Sequence, residues 1–213
     1  MKGPLVAGID EAGRGSVLGP MVIALFALEG DRVRELEELG VKDSKTLTPS
    51  VRERLYDRLR SMGALIRTKR INPTHIDRCS KSRGGCGLNE LELKAMRELI
   101  SGVRPHAVYI DSPYRNTRKA SELIGPIGGV KIHFKVRADA SIAVVAAASI
   151  VAKVLRDRAI RELGDVGSGY PSDPKTRSHL ERLVTCGHLP NYVRRSWRTV
   201  GSFQRLDVYL DER

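Results

Sequence analysis

Two spacings of apolar residues run along this chain, and the points where one gives way to the other outline its elements. Leu5–Asp10 and Ala107–Asp111 are short apolar runs that each end in an acid, the pattern of buried strands. Pro20–Leu28 is a third run, rich in Val, Ile and Phe. It follows the first through Glu11-Ala12-Gly13-Arg14-Gly15-Ser16, whose glycines predict a turn and so an antiparallel pair. Ala64–Ile71 and the alternating Lys131–Val136 read as further strands. Helical spacing marks Asp31–Leu39 through Val33, Leu36 and Leu39. A second helix follows the Thr48 cap and Pro49 and is carried by Leu55, Leu59 and Met62. In a third, Asn89 and Glu92 resemble a capping box, with Leu91, Leu93, Met96, Leu99 and Ile100 as its face. Ala140–Leu163 is a long helix stopped by Gly164, with Asp139 at its N-cap; Gly167–Thr176 is a loop, and Pro174–Cys186 a last helix.

Two strands, helices, then strand–helix–strand–helix imply an α/β fold: a mostly parallel sheet with helices on both faces. The segment after Gly164 reads as helical and is expected to cap one edge of the sheet, which divides the chain into a domain of residues 1–164 and a helical C-terminal subdomain, 165–213. No repeat or low-complexity tract interrupts this order.

Charge narrows the partners. The net charge is +12, and from Lys131 to Arg205 there are 14 Lys and Arg against 6 Asp and Glu, so most of the excess lies in the C-terminal third. A polyanion, nucleic acid first, is the partner this predicts, against the plainer reading of a solubilising surface. No apolar run reaches the ~20 residues of a membrane span. Met1-Lys2-Gly3-Pro4 leads directly into the first strand, so no signal peptide and a cytoplasmic site are expected. Three cysteines, an odd number, argue against a disulfide framework; Cys186-Gly187-His188 offers only half of a zinc site. Arg (26) outnumbers Lys (11) and amide side chains are scarce, a composition that fits a thermophilic source.

The acids carry the chemistry. Asp10 and Glu11 close one apolar strand and Asp111 another; ligands gather beyond the carboxyl ends of strands in such sheets. Asp10 and Glu11 converge on one site only if their strand ends there, because successive side chains alternate. Taken singly, Asp139 is as well explained as an N-cap, and Asp111 as a strand-end turn residue. Together the four would repel one another unless a divalent cation joined them, and hard oxygen ligands select Mg²⁺ or Mn²⁺. A basic chain with such a site suggests phosphodiester hydrolysis, in which two metals roughly 3.5–4 Å apart activate water and stabilise the leaving 3′-oxygen. His75, His106, His133, His179 and His188 show no metal spacing.

The motifs then form a set. Gly8-Ile9-Asp10-Glu11-Ala12-Gly13-Arg14-Gly15 resembles the N-terminal signature of the type 2 ribonucleases H. Asp43-Ser44-Lys45-Thr46-Leu47, Tyr109-Ile110-Asp111-Ser112, Lys135–Asp139 with Ala146–Lys153, and Gly167–Pro174 resemble four further blocks of that family, in order. The loop and Trp197-Arg198-Thr199-Val200 resemble the archaeal branch most. The resemblance implies a ribonuclease H-like fold, a mixed five-stranded sheet flanked by helices with a helical C-terminal subdomain. It implies catalytic, metal-holding acids at Asp10, Glu11, Asp111 and Asp139. It implies a monomer acting on RNA–DNA hybrids and on DNA duplexes containing ribonucleotides, cutting 5′ of a single ribonucleotide and leaving 5′-phosphate and 3′-hydroxyl ends.

It also implies that Gly13, Arg14 and Gly15 meet the ribose 2′-hydroxyl, and that Tyr170 packs on the next deoxyribose. Without the resemblance these would be a simple turn and a packing tyrosine. Ser149 and Lys153 share a helix face. Measured along that helix Ser149 lies roughly 15 Å from Asp139, so both are expected on phosphates rather than at the metals, as is Lys45. Gln204, Val208 and Tyr209 faintly resemble a sliding-clamp-binding tail, with Asp207 where an apolar residue belongs. The competing readings are another nuclease of the same fold, such as a resolvase or transposase core, and a non-catalytic basic nucleic-acid binder.

Overall fold

The structure is a computed structural model, described here over residues 3–41 and 47–203. Its sheet has five strands: β1 (Leu5–Ala12), β2 (Met21–Glu29), β3 (Leu65–Ile71), β4 (Ala107–Asp111) and β5 (Lys131–Lys135). They lie in the order β3-β2-β1-β4-β5. β1 pairs antiparallel with β2, and β4 runs parallel to both β1 and β5. The sheet is therefore mixed, with β1 central and buried. The helices are α1 (Val33–Glu38), α2 (Pro49–Ser61), α3 (Pro73–Cys79), α4 (Leu88–Val103), α5 (Thr117–Ile124), α6 (Ala143–Arg161) and α7 (Pro174–Thr185).

Local chemistry accounts for several ends. The Thr48 hydroxyl accepts from the Val51 amide ahead of Pro49, so α2 starts where its cap and proline predict. Asp173 caps α7 by accepting from the Lys175 amide. Elsewhere the structure differs from the sequence expectation. Helix α4 begins at Leu88, before Asn89, and Glu92 is fully buried, so these two form no capping box. Residues 30–32 are a 3-10 turn leading into a shorter α1. Helices α3 and α5 add to the sequence expectation: Pro73 opens α3, and Asn116 caps α5 by accepting from the Lys119 amide.

The chain divides into two compact units, and neither is a single contiguous stretch. The first comprises residues 1–12, 22–69 and 89–155; the second comprises 13–21, 70–88 and 156–213. In the first unit, Val22, Ala24, Phe26 and Leu28 of β2 share a core with Val144, Val145, Ala147, Ala148 and Val151 of α6. Each fully buried Val, Leu or Phe there contributes roughly 1.5–3 kcal/mol. The second unit has its own core of Val17, Leu18, Ile160, Val166, Leu180, Val184, Val193, Val200 and Phe203, with Leu18 and Val193 bridged in antiparallel fashion. Among the described residues no helix is long and apolar enough to cross a membrane.

Candidate active site

Three of the four acids come together in the first unit. Asp10, Asp111 and Asp139 each place a carboxylate oxygen within 4.8 Å of the others. Parallel pairing of Ile9 with Ile110 sets Asp10 and Asp111 at the same ends of neighbouring strands. Asp139 arrives by a different route from the one its sequence position suggests. It lies in a 3-10 turn, Ala138–Ala140, and α6 begins only at Ala143, so Asp139 does not cap that helix. Arg137, held left-handed at φ 55° and ψ 43°, swings the chain from β5 into this turn. The Ala138 amide then donates to Asp111 Oδ1 at 2.9 Å, which ties the Asp139 turn to the end of β4.

Glu11 is not part of this close set. β1 does not end at Asp10: it runs on to Ala12, with Asp10 opposite Ala24 and Glu11 opposite Ile23. Glu11 is still near enough for its charge to act on Asp10.

Burial pushes the Asp10 carboxyl well above the ordinary carboxylate range, with the negative charges of Glu11 and Asp111 adding to the rise. Hydrogen bonds from the Ser149 side chain and from the Glu11 amide, at 2.8 Å, act the other way. Ser149 was expected out among phosphates. Instead α6 runs across β1 at Gly8, where an added Cβ would stand 2.2 Å from the Val144 carbonyl. Distance along the helix from Asp139 therefore says nothing about distance from Asp10. Buried, hydrogen-bonded and mutually repelling carboxylates of this kind fit a divalent cation, whose charge relieves the repulsion and whose preference is for oxygen. Lys153, one turn on from Ser149, is half-buried.

The sugar-reading candidates lie in the second unit. Gly13 and Gly15 differ in a way the sequence does not show. Gly15 is exposed and a Cβ on it would meet nothing within 4 Å. Gly13, at φ 81°, is buried, and a Cβ there would stand 2.8 Å from the Pro20 carbonyl and 3.0 Å from Arg156 Cγ. Only Gly15 thus leaves room for a ligand to approach; Gly13 leaves room for the protein itself. Arg14 between them is half-buried. The Tyr170 ring, also half-buried, has the Arg156 guanidinium 4.4 Å from its centroid, which covers one face. Lys45 and the tail residues Gln204, Asp207, Val208 and Tyr209 lie outside the described residues.

Several buried polar residues of this unit belong to no motif read from the sequence. Arg156 and Arg194 are essentially inaccessible, at 1% and 0% exposure. One signal for Arg156 was present: it falls on the apolar helical stripe of Ala148, Ala152 and Ala159, where a charge is out of place. Ser16 and Asp77, both buried, are the other two.

Comparison with known proteins adds an independent line. The family model described as Ribonuclease HII matches residues 7–200. A protein of Caldivirga maquilingensis named Ribonuclease HII is 50% identical over 203 residues, spanning 92% of this chain and 93% of its own. The crystal structure of ribonuclease H2 from Pyrococcus horikoshii OT3 superposes with a TM-score of 0.87 at 36% identity, covering 96% of this chain and 99% of that one. The structure of a PCNA:RNase HII complex from Archaeoglobus fulgidus gives a TM-score of 0.83 at 38% identity, covering 93% and 96%.

Proposed function

This chain belongs to the ribonuclease HII family, a family of ribonuclease H hydrolases acting on RNA–DNA hybrids, and from that premise we propose that it also cuts 5′ of single ribonucleotides in duplex DNA, leaving 5′-phosphate and 3′-hydroxyl ends. The observation that carries the chemistry is the convergence of Asp10, Asp111 and Asp139, the first two side by side where the parallel pairing of β1 with β4 ends. These three, with Glu11 beside them, would hold two Mg²⁺ or Mn²⁺ ions. When bound, the ions would supply an activated water and charge stabilisation at the leaving oxygen. The protein's own part is to orient the carboxylates. The Ala138 amide fixes Asp111 and the Ser149 hydroxyl fixes Asp10.

In this reading the turn at Gly13, Arg14 and Gly15 senses the 2′-hydroxyl, the one group that separates RNA from DNA, through the open side at Gly15. Tyr170 packs on the following deoxyribose. Lys45, Lys153 and the C-terminal arginines hold phosphates. Residues 1–164 would supply catalysis and 165–213 would complete the cleft, in a cytoplasmic monomer. The test is incubation with Mg²⁺ and a duplex carrying one ribonucleotide; an intact strand after prolonged incubation with active-site-saturating metal would sink the proposal. Replacing Tyr170 by Ala should lower kcat/KM more on that duplex than on a continuous RNA strand, which never presents the deoxyribose.

A sliding clamp is proposed as partner for the tail at Gln204, Val208 and Tyr209. The support is the Archaeoglobus fulgidus relative, solved in a complex with PCNA. Co-elution with the clamp that survives removal of residues 204–213 would exclude the tail as the contact.

A further inference from the structure

We infer that Arg156 is a positioning residue for junction recognition, a buried guanidinium that ties the Tyr170 loop to the Gly13–Gly15 turn without itself meeting nucleic acid. The inference rests on the reading that the turn senses the ribose and Tyr170 the next sugar. Arg156 Nη2 donates to Ser16 Oγ at 2.7 Å and to the Ser168 carbonyl at 2.6 Å, and Nη1 pairs with Asp157 at 3.0 Å. The same guanidinium lies over the Tyr170 ring. One group therefore touches the residue after the turn, the residue two before the tyrosine, and the tyrosine itself.

The two segments are also joined by the Gly169 carbonyl. It accepts from the Val17 amide at 2.8 Å, the Leu18 amide at 3.2 Å and Ser16 Oγ at 2.7 Å. The glycines fit the arginine. At position 13 a Cβ would press on Arg156 Cγ at 3.0 Å, and at position 169 on Nη2 at 2.9 Å. On its other side the turn is held by Arg194, which donates to the carbonyls of Gly13 (2.6 Å), Arg14 (2.8 Å) and Gly19 (3.1 Å). Asp77 fixes the stretch that carries Arg194, accepting from the Arg195 and Ser196 amides at 2.9 Å each.

A charge taken out of water is costly even when paired, and Arg156 Nε is buried with no hydrogen-bond partner, so burying Arg156 costs stability that a neutral side chain would not. What the guanidinium supplies in return is geometry: a planar fork that reaches an oxygen on each segment while stacking on an aromatic face, which an ammonium does not reproduce. Reading two adjacent sugars at once needs their two contacts at a fixed separation, and a misplacement of about 1 Å can cost about a hundredfold.

The test compares kcat/KM on two duplexes of one base sequence, the first with a single ribonucleotide and the second with a continuous RNA strand. Arg156→Lys should lower the first by about 10- to 100-fold and the second by much less. In the double variant with Tyr170→Ala, the ratio of the two substrates should be no worse than for Tyr170→Ala alone, since Arg156 acts through that ring. Should Arg156→Lys not fold, as thermal melting would report, Ser16→Ala removes the hydroxyl that joins Arg156 to Gly169; it should move the ratio the same way, by less. Equal losses on both duplexes, no loss, or additive effects in the double variant overturn the positioning role. Equal losses with Tyr170→Ala alone overturn the junction reading itself, and the inference with it. A ratio that shifts for Tyr170→Ala but not for Arg156→Lys or Ser16→Ala leaves the reading standing and removes Arg156.

Discussion

The Ser149 hydroxyl of α6 hydrogen-bonds to the Asp10 carboxylate of β1. The contact exists because the helix backbone at Val144 crosses the strand at a residue with no side chain, Gly8. A partner of this kind orients a metal-holding carboxylate and, in metal sites generally, its loss costs about 10- to 100-fold in affinity or activity. Ser149→Ala should shift the Mg²⁺ activation curve to higher concentration by that order. It should also shift the curve toward higher pH, since the lost hydrogen bond favoured the ionised acid. A titration superimposable on that of the unmodified protein would return Ser149 to plain packing.

Removing a member of the cluster should separate chemistry from binding. Asp10→Asn or Asp139→Asn should lower cleavage on the order of 10²-fold or more, the scale of losing a main electrostatic element of a transition state. Duplex affinity should change little, because it rests on phosphate contacts. Turnover near that of the unmodified enzyme in Asp10→Asn would take that residue out of the mechanism.

Without divalent metal, the raised Asp10 carboxyl works against stability at neutral pH. The folded protein holds this proton more tightly than the unfolded chain does. Stability is therefore lost as pH rises through the window from the ordinary carboxylate range to Asp10's raised one. Asp10→Asn should accordingly be more stable than the unmodified protein in EDTA at pH 7, with the gap closing as pH falls. Mg²⁺ or Mn²⁺ should close it from the other side, by about 2.7 kcal/mol at a hundred times Kd, through binding only the folded state. Thermal melts across pH, with and without metal, read both effects. A gap independent of pH, or a melting temperature indifferent to millimolar metal, would count against the site.

Gly8→Ala should be far more damaging than its one added methyl suggests. The Cβ would lie 2.2 Å from Val144 backbone atoms, which cannot rotate away as a flexible side chain would. We expect a loss of about 3 kcal/mol or more, together with weakened metal binding, because α6 must lift and take Ser149 with it. Chemical denaturation and metal titration on the same variant check the pair of effects.

Lys153 should contribute one phosphate contact. Lys153→Ala should then flatten the plot of log affinity against log salt by up to about one unit. An unchanged slope would assign it to the surface of α6 alone.

Much of this was legible in the chain. Strands ending in acids, Thr48 with Pro49, and the motif blocks that fall on described residues carry information that is local in sequence, and the elements they mark there are present. What was not legible depended on crossings. Whether β1 stopped at Asp10 or ran on to Ala12 was decided by its partner β2. Asp139 looked like a cap because caps are common before long helices; Arg137 adopts a left-handed conformation that no pattern announced. The reach of Ser149 is hidden because sequence gives distance along one helix, whereas its contact crosses to a strand over 130 residues earlier.

The second unit also bears on when the protein can take shape during synthesis. Its core joins Val17 and Leu18 to Val193 and Val200, and the carbonyls of Gly13 and Arg14 await Arg194, some 180 positions downstream. A ribosome delivers the turn some 180 residues ahead of this anchor. Arg156 and Gly169 reach residues 16–18 earlier, but the Gly13 and Arg14 carbonyls wait for Arg194, and closing so long a loop is entropically slow. The acids of β1 and β4 can be assembled on the nascent chain well before the sugar-reading turn acquires its form, so a chain released early would carry its carboxylates without the means to choose where they act.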